Sequence, residues 1–291
     1  MKIIDGKKIA EEVKDEIAKK VQQWIKEEKP VPHLAAMIVG EDGASKTYIG
    51  SIERSCREVG FTSSIYQYPE TITEKEFLEA IDFLNRDDEV DGYIIQLPLP
   101  KHISTEKVIA HVDPKKDVDC FHPINNGKLF LGEAEFLPAT PYGTIELMKR
   151  AGIEANGKHC VVVGRSNIVG KPLAMLLAEK SPQGNATVTI CHSRTKNLKE
   201  VCASADILLV AIGQPEMITA EYVKEGATVI DIGIHRIPDN SKEKGYRICG
   251  DVKYDEVAQK CEAITPVPGG VGPMTMTCLM LNTMHAYERK H

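Results

Sequence analysis

The chain lacks the features that would place it in several large classes. It has eight cysteines, yet no two stand as C-x-x-C, so zinc-ribbon and thioredoxin-like readings fail. The cysteines fall in apolar segments, where a free thiol acts as a small hydrophobe. That expects reduced core thiols, no metal and a cytoplasmic setting. No apolar run reaches the roughly 18 residues that span a bilayer, and the start, "MKIIDGKKIAEEV", has no secretory apolar core. No run of Lys or Arg occurs and the net charge is −6, which argues against nucleic-acid partners. Internal repeats and low-complexity segments are also missing. The 291 residues suit roughly two domains.

What is present is alternation. Residues 7–28 carry Ile9, Val13, Ile17, Val21, Trp24 and Ile25 at helical spacing. A buried strand, "HLAAMIVG" (33–40), follows, then a helix over about 45–58. "SSIYQY" reads as a strand, 73–86 as a helix, and "DGYIIQLPLP" (91–100) as a strand stopped by prolines. After a pause at "FLPATPYG" a helix is expected near Thr144, and the pattern restarts. "HCVVVG" (159–164), "ATVTIC" (186–191), "DILLVAIG" (206–213), "ATVIDIG" (227–233) and "EAITPV" (262–267) are short Val/Ile-rich runs with helical stretches between. A helix over 274–289 closes the chain. Repeated βα alternation predicts an α/β protein of mostly parallel sheet, its second half a doubly wound, Rossmann-like nucleotide-binding layout.

In "VVVGRSNIVGKP" (161–172) a strand ends at Gly164 and Gly170 stands where a helix should begin. Backbone N–H groups at such a helix start bind phosphate. Ser166 replaces the second glycine of the usual fingerprint, so a tight turn without ligand is the alternative. An NAD site usually sets an acid at the end of the second strand, whereas a 2′-phosphate wants a cation. Here His192, Ser193, Arg194 and Lys196 follow that strand, and Arg165 lies in the first turn. This favours NADP, unless the cations merely solvate a helix start.

In the first half, Tyr48, Ile52 and Cys56 share one helix face. Tyr48 could stack on a planar ring or fill the core. Gln96 sits at the carboxyl end of a parallel strand, where ligands bind, and a Gln among Ile and Leu needs hydrogen-bond partners. Asp117 and Asp119 precede a proline-containing loop; from composition alone neither is catalytic. "TPVPGGVGPMT" (265–275) is too rich in Pro and Gly for a helix or a central strand.

These segments together resemble the methylenetetrahydrofolate dehydrogenase/methenyltetrahydrofolate cyclohydrolase family. The resemblance rests on "TYIGSIERSCREVGF", "DGYIIQLPLP", "DPKKDVDCFHPIN", "ATPYGT", "GRSNIVGKP", "ATVTICHSRT", "VIDIGIHR" and "ITPVPGGVGPMT", which cover nearly the whole chain. It implies two domains with a cleft between them. Residues 1–140 would form an α/β folate-binding catalytic domain, joined by a returning helix (274–291), and residues 141–273 the NADP-binding domain. The implied reaction is oxidation of 5,10-methylenetetrahydrofolate with NADP in one-carbon metabolism, by a homodimer acting on tetrahydrofolate derivatives. By resemblance Tyr48 stacks on folate, Gln96 is the active-site glutamine, and Asp119 contacts the pterin. Pro268, Gly269 and Gly270 let the backbone approach substrate and cofactor closely. Gly164, Arg165, Ser166, Ser193 and Ile234 match dinucleotide-binding positions.

Two positions depart from the family. Ile52 stands where it has a lysine one turn after the tyrosine, and Cys120 where it has the glycine after DVD. Hydride transfer belongs largely to the cofactor. Hydrolysis of the methenyl cation needs protons to move, and a lysine of lowered pKa suits that task. Ile52 cannot do it. Arg54 lies about 200° around an ideal helix from position 52 and stays protonated. The expectation is a working dehydrogenase with weak or absent cyclohydrolase, against full bifunctional activity through another proton carrier. Two further alternatives are a different Rossmann oxidoreductase and a folate-binding protein without turnover.

Overall fold

The computed structural model describes residues 1–40 and 43–291, and of residues 43–48 the backbone alone. The Tyr48 side chain therefore lies outside the described residues. Two compact units emerge, neither continuous in sequence. One comprises Met1–Glu11 and Thr140–Thr275, the other Glu12–Ala139 and Met276–His291.

The chain opens with strand β1 (Lys2–Ile3) and helix α1 (Gly6–Lys26). Strand β2 (His33–Val39) is buried along its centre, as expected of a parallel strand covered on both faces. Helix α2 (Gly43–Val59), β3 (Thr62–Tyr68), α3 (Glu74–Arg86) and β4 (Gly92–Ile95) follow. α3 begins at a capping box, in which Thr73 Oγ1 accepts from Glu76 N–H and the Glu76 carboxylate accepts from Thr73 N–H. β4 stops four residues in, just before Gln96 and the Leu97–Pro98 peptide. The three strands pair in parallel, in the order β3-β2-β4. Phe77, Ile81 and Leu84 of α3 pack against Met37 and Tyr93 beneath this sheet.

Two helices unforeseen from the sequence then appear, α4 (Thr105–His111) and α5 (Pro123–Leu131). Each is capped by its preceding side chain, Ser104 and His122. α6 (Ala139–Arg150) starts five residues before the expected Thr144. Its first turn runs through "ATPYG", where proline is tolerated because early helical N–H groups have no partner anyway.

The second unit alternates as expected, through β5 (His159–Val163), α7 (Gly170–Ala178), β6 (Thr187–Cys191), α8 (Leu198–Ala203), β7 (Ile207–Val210) and β8 (Thr228–Asp231). A hairpin of β9 (His235–Pro238) and β10 (Tyr246–Cys249) interrupts, before α9 (Tyr254–Val257), β11 (Ala263–Ile264) and α10 (Val271–Lys290). The main sheet is parallel in the order β1-β11-β8-β7-β5-β6. Counted from β5, its last five strands run second, first, third, fourth, fifth, so the winding reverses between β5 and β7.

Residues 1–11 correct the expected boundary. They belong with the doubly wound unit, not with residues 12–139. β1 extends the sheet beside β11, with Lys2 opposite Ala263 and Ile3 opposite Ile264. The other end of the chain joins the smaller unit. Asn282 Nδ2 donates to the carbonyls of Val118 and Leu137, both at 2.7 Å. Tyr287 Oη donates to Pro30 O at 2.7 Å, and Cys56 Sγ lies 3.8 Å from Met280 Sδ.

Candidate active site and dinucleotide crevice

In the smaller unit the carboxyl end of β4 and the 117–122 turn border one narrow pocket. It is lined by Tyr93, Ile95, Leu97, Asp117, Asp119 and Phe121 among others. Gln96 follows β4, where its N–H donates to Met37 O at 2.9 Å, continuing the ladder. Its side-chain amide donates to Leu97 O at 2.8 Å and is half-buried. The partner demanded by an amide among aliphatic residues is thus a backbone carbonyl one residue on.

Asp117 builds the turn on which Asp119 stands. Its buried carboxylate accepts from the N–H groups of Phe121 (3.1 Å) and His122 (2.8 Å) and from Asn125 Nδ2 (2.8 Å). Cys120 closes the turn with its N–H on Asp117 O at 3.0 Å. Its φ is +59°, the left-handed region that glycine occupies without cost. The departure to cysteine therefore falls where a side chain is strained. Its thiol packs inward and donates to Phe136 O at 3.1 Å.

Among the described residues Asp119 has no such set of donors. It is half-buried, and desolvation, with the neighbouring Asp117 charge second, pushes its carboxyl up to about 7. A carboxyl poised there, bordering a pocket, is ready to accept hydrogen bonds from a ligand's N–H groups.

Helix α2 carries Ile49, Ile52, Cys56 and Val59 on one buried face, with Ile52 fully buried at 0 % exposure. Glu53, Arg54 and Arg57 are exposed. Arg54 therefore points to solvent, on the side away from Ile52.

In the doubly wound unit the crevice lies where the winding reverses. Gly164 follows β5 with φ +135°, and a Cβ there would stand 2.2 Å from Ala211 O, just past β7. A Cβ on Gly170 would stand 2.3 Å from Gly164 O. Both glycines are required by close approach of the protein's own backbone, which sets the tight turn from β5 into α7. Ser166 Oγ, at the place of the missing glycine, accepts from the N–H groups of Val169 (3.1 Å) and Gly170 (3.3 Å). β5 pairs with β6 so that Val163 faces Cys191. Arg165 and Ser193 each stand two residues beyond that pair, on adjacent loops. Arg165, Ser193 and Arg194 are exposed. Neither arginine has an ion pair among the described residues, and no acid occurs between 192 and 196. This donor set fits a dinucleotide with an extra phosphate. Ile234 precedes β9 and is 65 % exposed.

A broader hollow of about 410 Å³ lies at the amino ends of the main-sheet strands, beside Lys2, Asp206, Thr228 and Ala263. That is the wrong edge of a parallel sheet for a ligand. Among the described residues no His, Cys, Asp and Glu cluster could hold a metal. None of their helices is long and apolar enough to cross a membrane.

The 265–275 loop has a cis Val267–Pro268 peptide and Gly269 at φ +106°. Gly269 O accepts from Lys7 N–H at 3.0 Å. A Cβ on Gly6 would stand 1.8 Å from Gly270 O, and one on Gly270 would stand 2.6 Å from Pro266 O. The bareness of Gly270 is thus taken up by the protein's own backbone. Pro268 is exposed and Gly269 half-buried.

Sequence reasoning missed two buried acids here, Asp231 and Asp251, at 3 % and 0 % exposure. Each follows an apolar run and stands near a glycine ("DIG", "GDV"), a signal that could have marked them.

Comparison with known proteins finds relatives along the whole chain. Residues 4–119 match the catalytic domain of the tetrahydrofolate dehydrogenase/cyclohydrolase family, and residues 138–291 its NAD(P)-binding domain. The bifunctional protein FolD of Porphyromonas gingivalis is 55 % identical over 285 residues, 98 % of this chain and 96 % of that protein. The crystal structure of FolD from Campylobacter jejuni superposes with a TM-score of 0.92 at 43 % identity, covering 99 % of each chain. The Trypanosoma brucei dehydrogenase–cyclohydrolase, solved with NADP and an inhibitor, superposes at 0.91 with 34 % identity, covering 99 % and 97 %.

Proposed function

The chain belongs to the tetrahydrofolate dehydrogenase/cyclohydrolase family, and from that premise we propose that it oxidises 5,10-methylenetetrahydrofolate to the methenyl form with NADP, while retaining little cyclohydrolase activity. The observation that carries the cofactor reading is the crevice at the β5/β7 reversal. A tight glycine turn leads from β5 into α7, and exposed Arg165 and Arg194, without an ion pair among the described residues, stand where no acid guards the ribose. Gly164, Arg165, Ser166, Ser193 and Ile234 would hold the dinucleotide. When bound, that group supplies a hydride acceptor for the methylene carbon.

The chain's own residues orient the substrate. Asp119 accepts from the pterin N–H groups. Gln96 turns its amide from Leu97 O toward the folate, and Pro268 and Gly269 offer backbone beside it. Tyr48, one turn before Ile52 on α2, stacks on the ring system by resemblance alone. Orientation of this kind can remove a large part of a barrier. The same resemblance alone supports a homodimer in the cytoplasm.

Hydrolysis of the methenyl cation is different, since a water must lose a proton and the ring nitrogen gain one. Ile52 is fully buried and carries no ionisable group, and Arg54 faces solvent. Loss of proton-transfer catalysis typically costs about 10²–10⁴-fold.

One set of assays tests both halves. Purified protein is given methylenetetrahydrofolate with NADP or NAD, and separately methenyltetrahydrofolate with the buffer rate subtracted. The expected result is NADPH formation, weaker use of NAD, and hydrolysis near the buffer rate. Arg165→Ala should weaken NADP more than NAD, since a bond to a charged group contributes about 1.5–3 kcal/mol. A preference for NAD would sink the cofactor assignment. A hydrolysis rate equal to that of FolD from Porphyromonas gingivalis would sink the second.

A further inference from the structure

Asp231 and Asp251 have no part in the reading above, yet both are buried carboxylates in the doubly wound unit. Neither pairs with Lys or Arg among the described residues; their donors are backbone amides and one histidine. Asp231 accepts from the N–H groups of Gly233 (3.0 Å), Asp251 (3.0 Å) and Val252 (2.9 Å). Asp251 accepts from those of Ile212 (2.7 Å), Gly213 (3.2 Å) and Gln214 (2.8 Å), and from His235 Nε2 at 2.8 Å. The sequence makes room for both carboxylates. A Cβ on Gly250 would stand 1.9 Å from Asp231 Oδ2, and one on Gly233 would stand 2.4 Å from Asp251 Cγ.

The groups they hold are not arbitrary. Residues 212–214 continue directly from Ala211, whose carbonyl closes on Gly164 at the β5/β7 reversal. Gly233 and His235 flank Ile234. One buried unit therefore fixes two separate pieces of chain, the loop after β7 and the exposed residue before β9. A carboxylate that binds three consecutive amides and a ring N–H sets their relative positions more tightly than packing alone.

We propose that Asp251, acting through His235, is a positioning residue for the cofactor: it fixes Ile234 against the 212–214 loop and so holds the crevice at the width a dinucleotide needs. The inference rests on the crevice being the dinucleotide site. Asp231 supports it from behind, through Gly233 N–H and the backbone of Asp251. Asp251 is fully buried, so it does not touch the ligand itself.

The test uses the full chain. His235→Phe removes the ring donor while keeping a flat side chain, and His235→Gln restores an N–H donor. NADPH affinity is read by titration, KM for NADP and for methylenetetrahydrofolate by steady-state kinetics, and folding by thermal melt. His235→Phe should weaken NADPH binding and raise KM for NADP roughly tenfold, the loss typical of a hydrogen bond to a charged group. KM for the folate should stay near native, and His235→Gln should recover most of the loss. If His235→Phe fails to fold, Asp251→Asn serves instead. Its amide nitrogen cannot accept from Gln214 N–H, so the same selective cofactor loss is expected. Native NADPH affinity in these variants overturns the proposal. So does a loss shared equally by cofactor and folate that follows the melting temperature, since that is a merely structural role. Failure of the native protein to bind NADPH at all would instead overturn the assignment of the crevice, and this inference with it.

Discussion

Asp119 is held in surroundings that disfavour its own charge. Its carboxyl is pushed up to about 7, first by desolvation and then by Asp117, against an ordinary value near 4. Below about pH 4 folded and unfolded chains both carry the proton, and the residue contributes nothing. Between about pH 4 and 7 the folded chain keeps the proton that the unfolded chain releases, so stability falls as pH rises. Above 7 the penalty is complete. Its ceiling is about 4 kcal/mol, and because water reaches the half-buried group we expect about 1–2 kcal/mol. Asp119→Asn should therefore be more stable than the native protein at pH 8, with the difference vanishing near pH 4, and should use folate poorly. Urea midpoints at the two pH values check this. An equal or lower midpoint for the variant at pH 8 would show that the native carboxyl is already well solvated. Asp117, two residues away and also raised by desolvation, is the contrast. Its three donors make it part of the scaffold, and composition and periodicity do not separate these two acids of "DVD", which only the family resemblance tells apart.

At the scale of elements, periodicity located most strands and helices, because buried parallel strands read as Val/Ile runs and amphipathic helices as spaced stripes. It failed where elements are too short to carry a period. β1 has two residues, α4 seven, and the hairpin strands β9 and β10 four each. The 265–275 loop was legible as a special backbone, but the reason for each glycine was not. Gly270 abuts Gly6 at the start of α1, a contact between distant parts of the chain that no local pattern encodes. Gly6→Ala should cost about 2–3 kcal/mol, the upper part of the usual range for overpacking, because the obstacle is a backbone oxygen 1.8 Å from the new Cβ. Gly272→Ala, an exposed helical site with nothing within 4 Å, should instead stabilise by about 0.5–1 kcal/mol. Chemical denaturation of both variants decides it, and a neutral Gly6→Ala would mean that α1 and the loop slide apart freely.

At the scale of the molecule, motif positions were legible while the division of the chain was not. "GRSNIVG" and "QLPLP" mark the carboxyl ends of β5 and β4 because a ligand-binding turn needs particular residues at a particular place. Which residues complete each unit depends on contacts across the whole sequence. The first eleven residues look like the start of the domain that follows them, yet they finish the sheet of the other. Lys2 N–H donates to Glu262 O at 2.6 Å, Ile4 N–H to Ile264 O at 2.8 Å and Lys7 N–H to Gly269 O at 3.0 Å. Ile4 is buried at 1 % exposure. A chain starting at Glu12 loses these three bonds, at about 1 kcal/mol each, and the burial of Ile4, about 2 kcal/mol. The expectation is a lower melting temperature for the doubly wound unit, with NADP added in excess restoring part of it, because a ligand that binds only the folded form stabilises by mass action. The measurement is a thermal melt of the shortened and full chains, each with and without NADP. A shortened chain that melts with the full one would show that β1 and the first turns of α1 rest on the sheet without supporting it. A loss that NADP cannot offset would place the damage at the cofactor crevice itself, through the 265–275 loop that Lys7 and Gly6 hold in place.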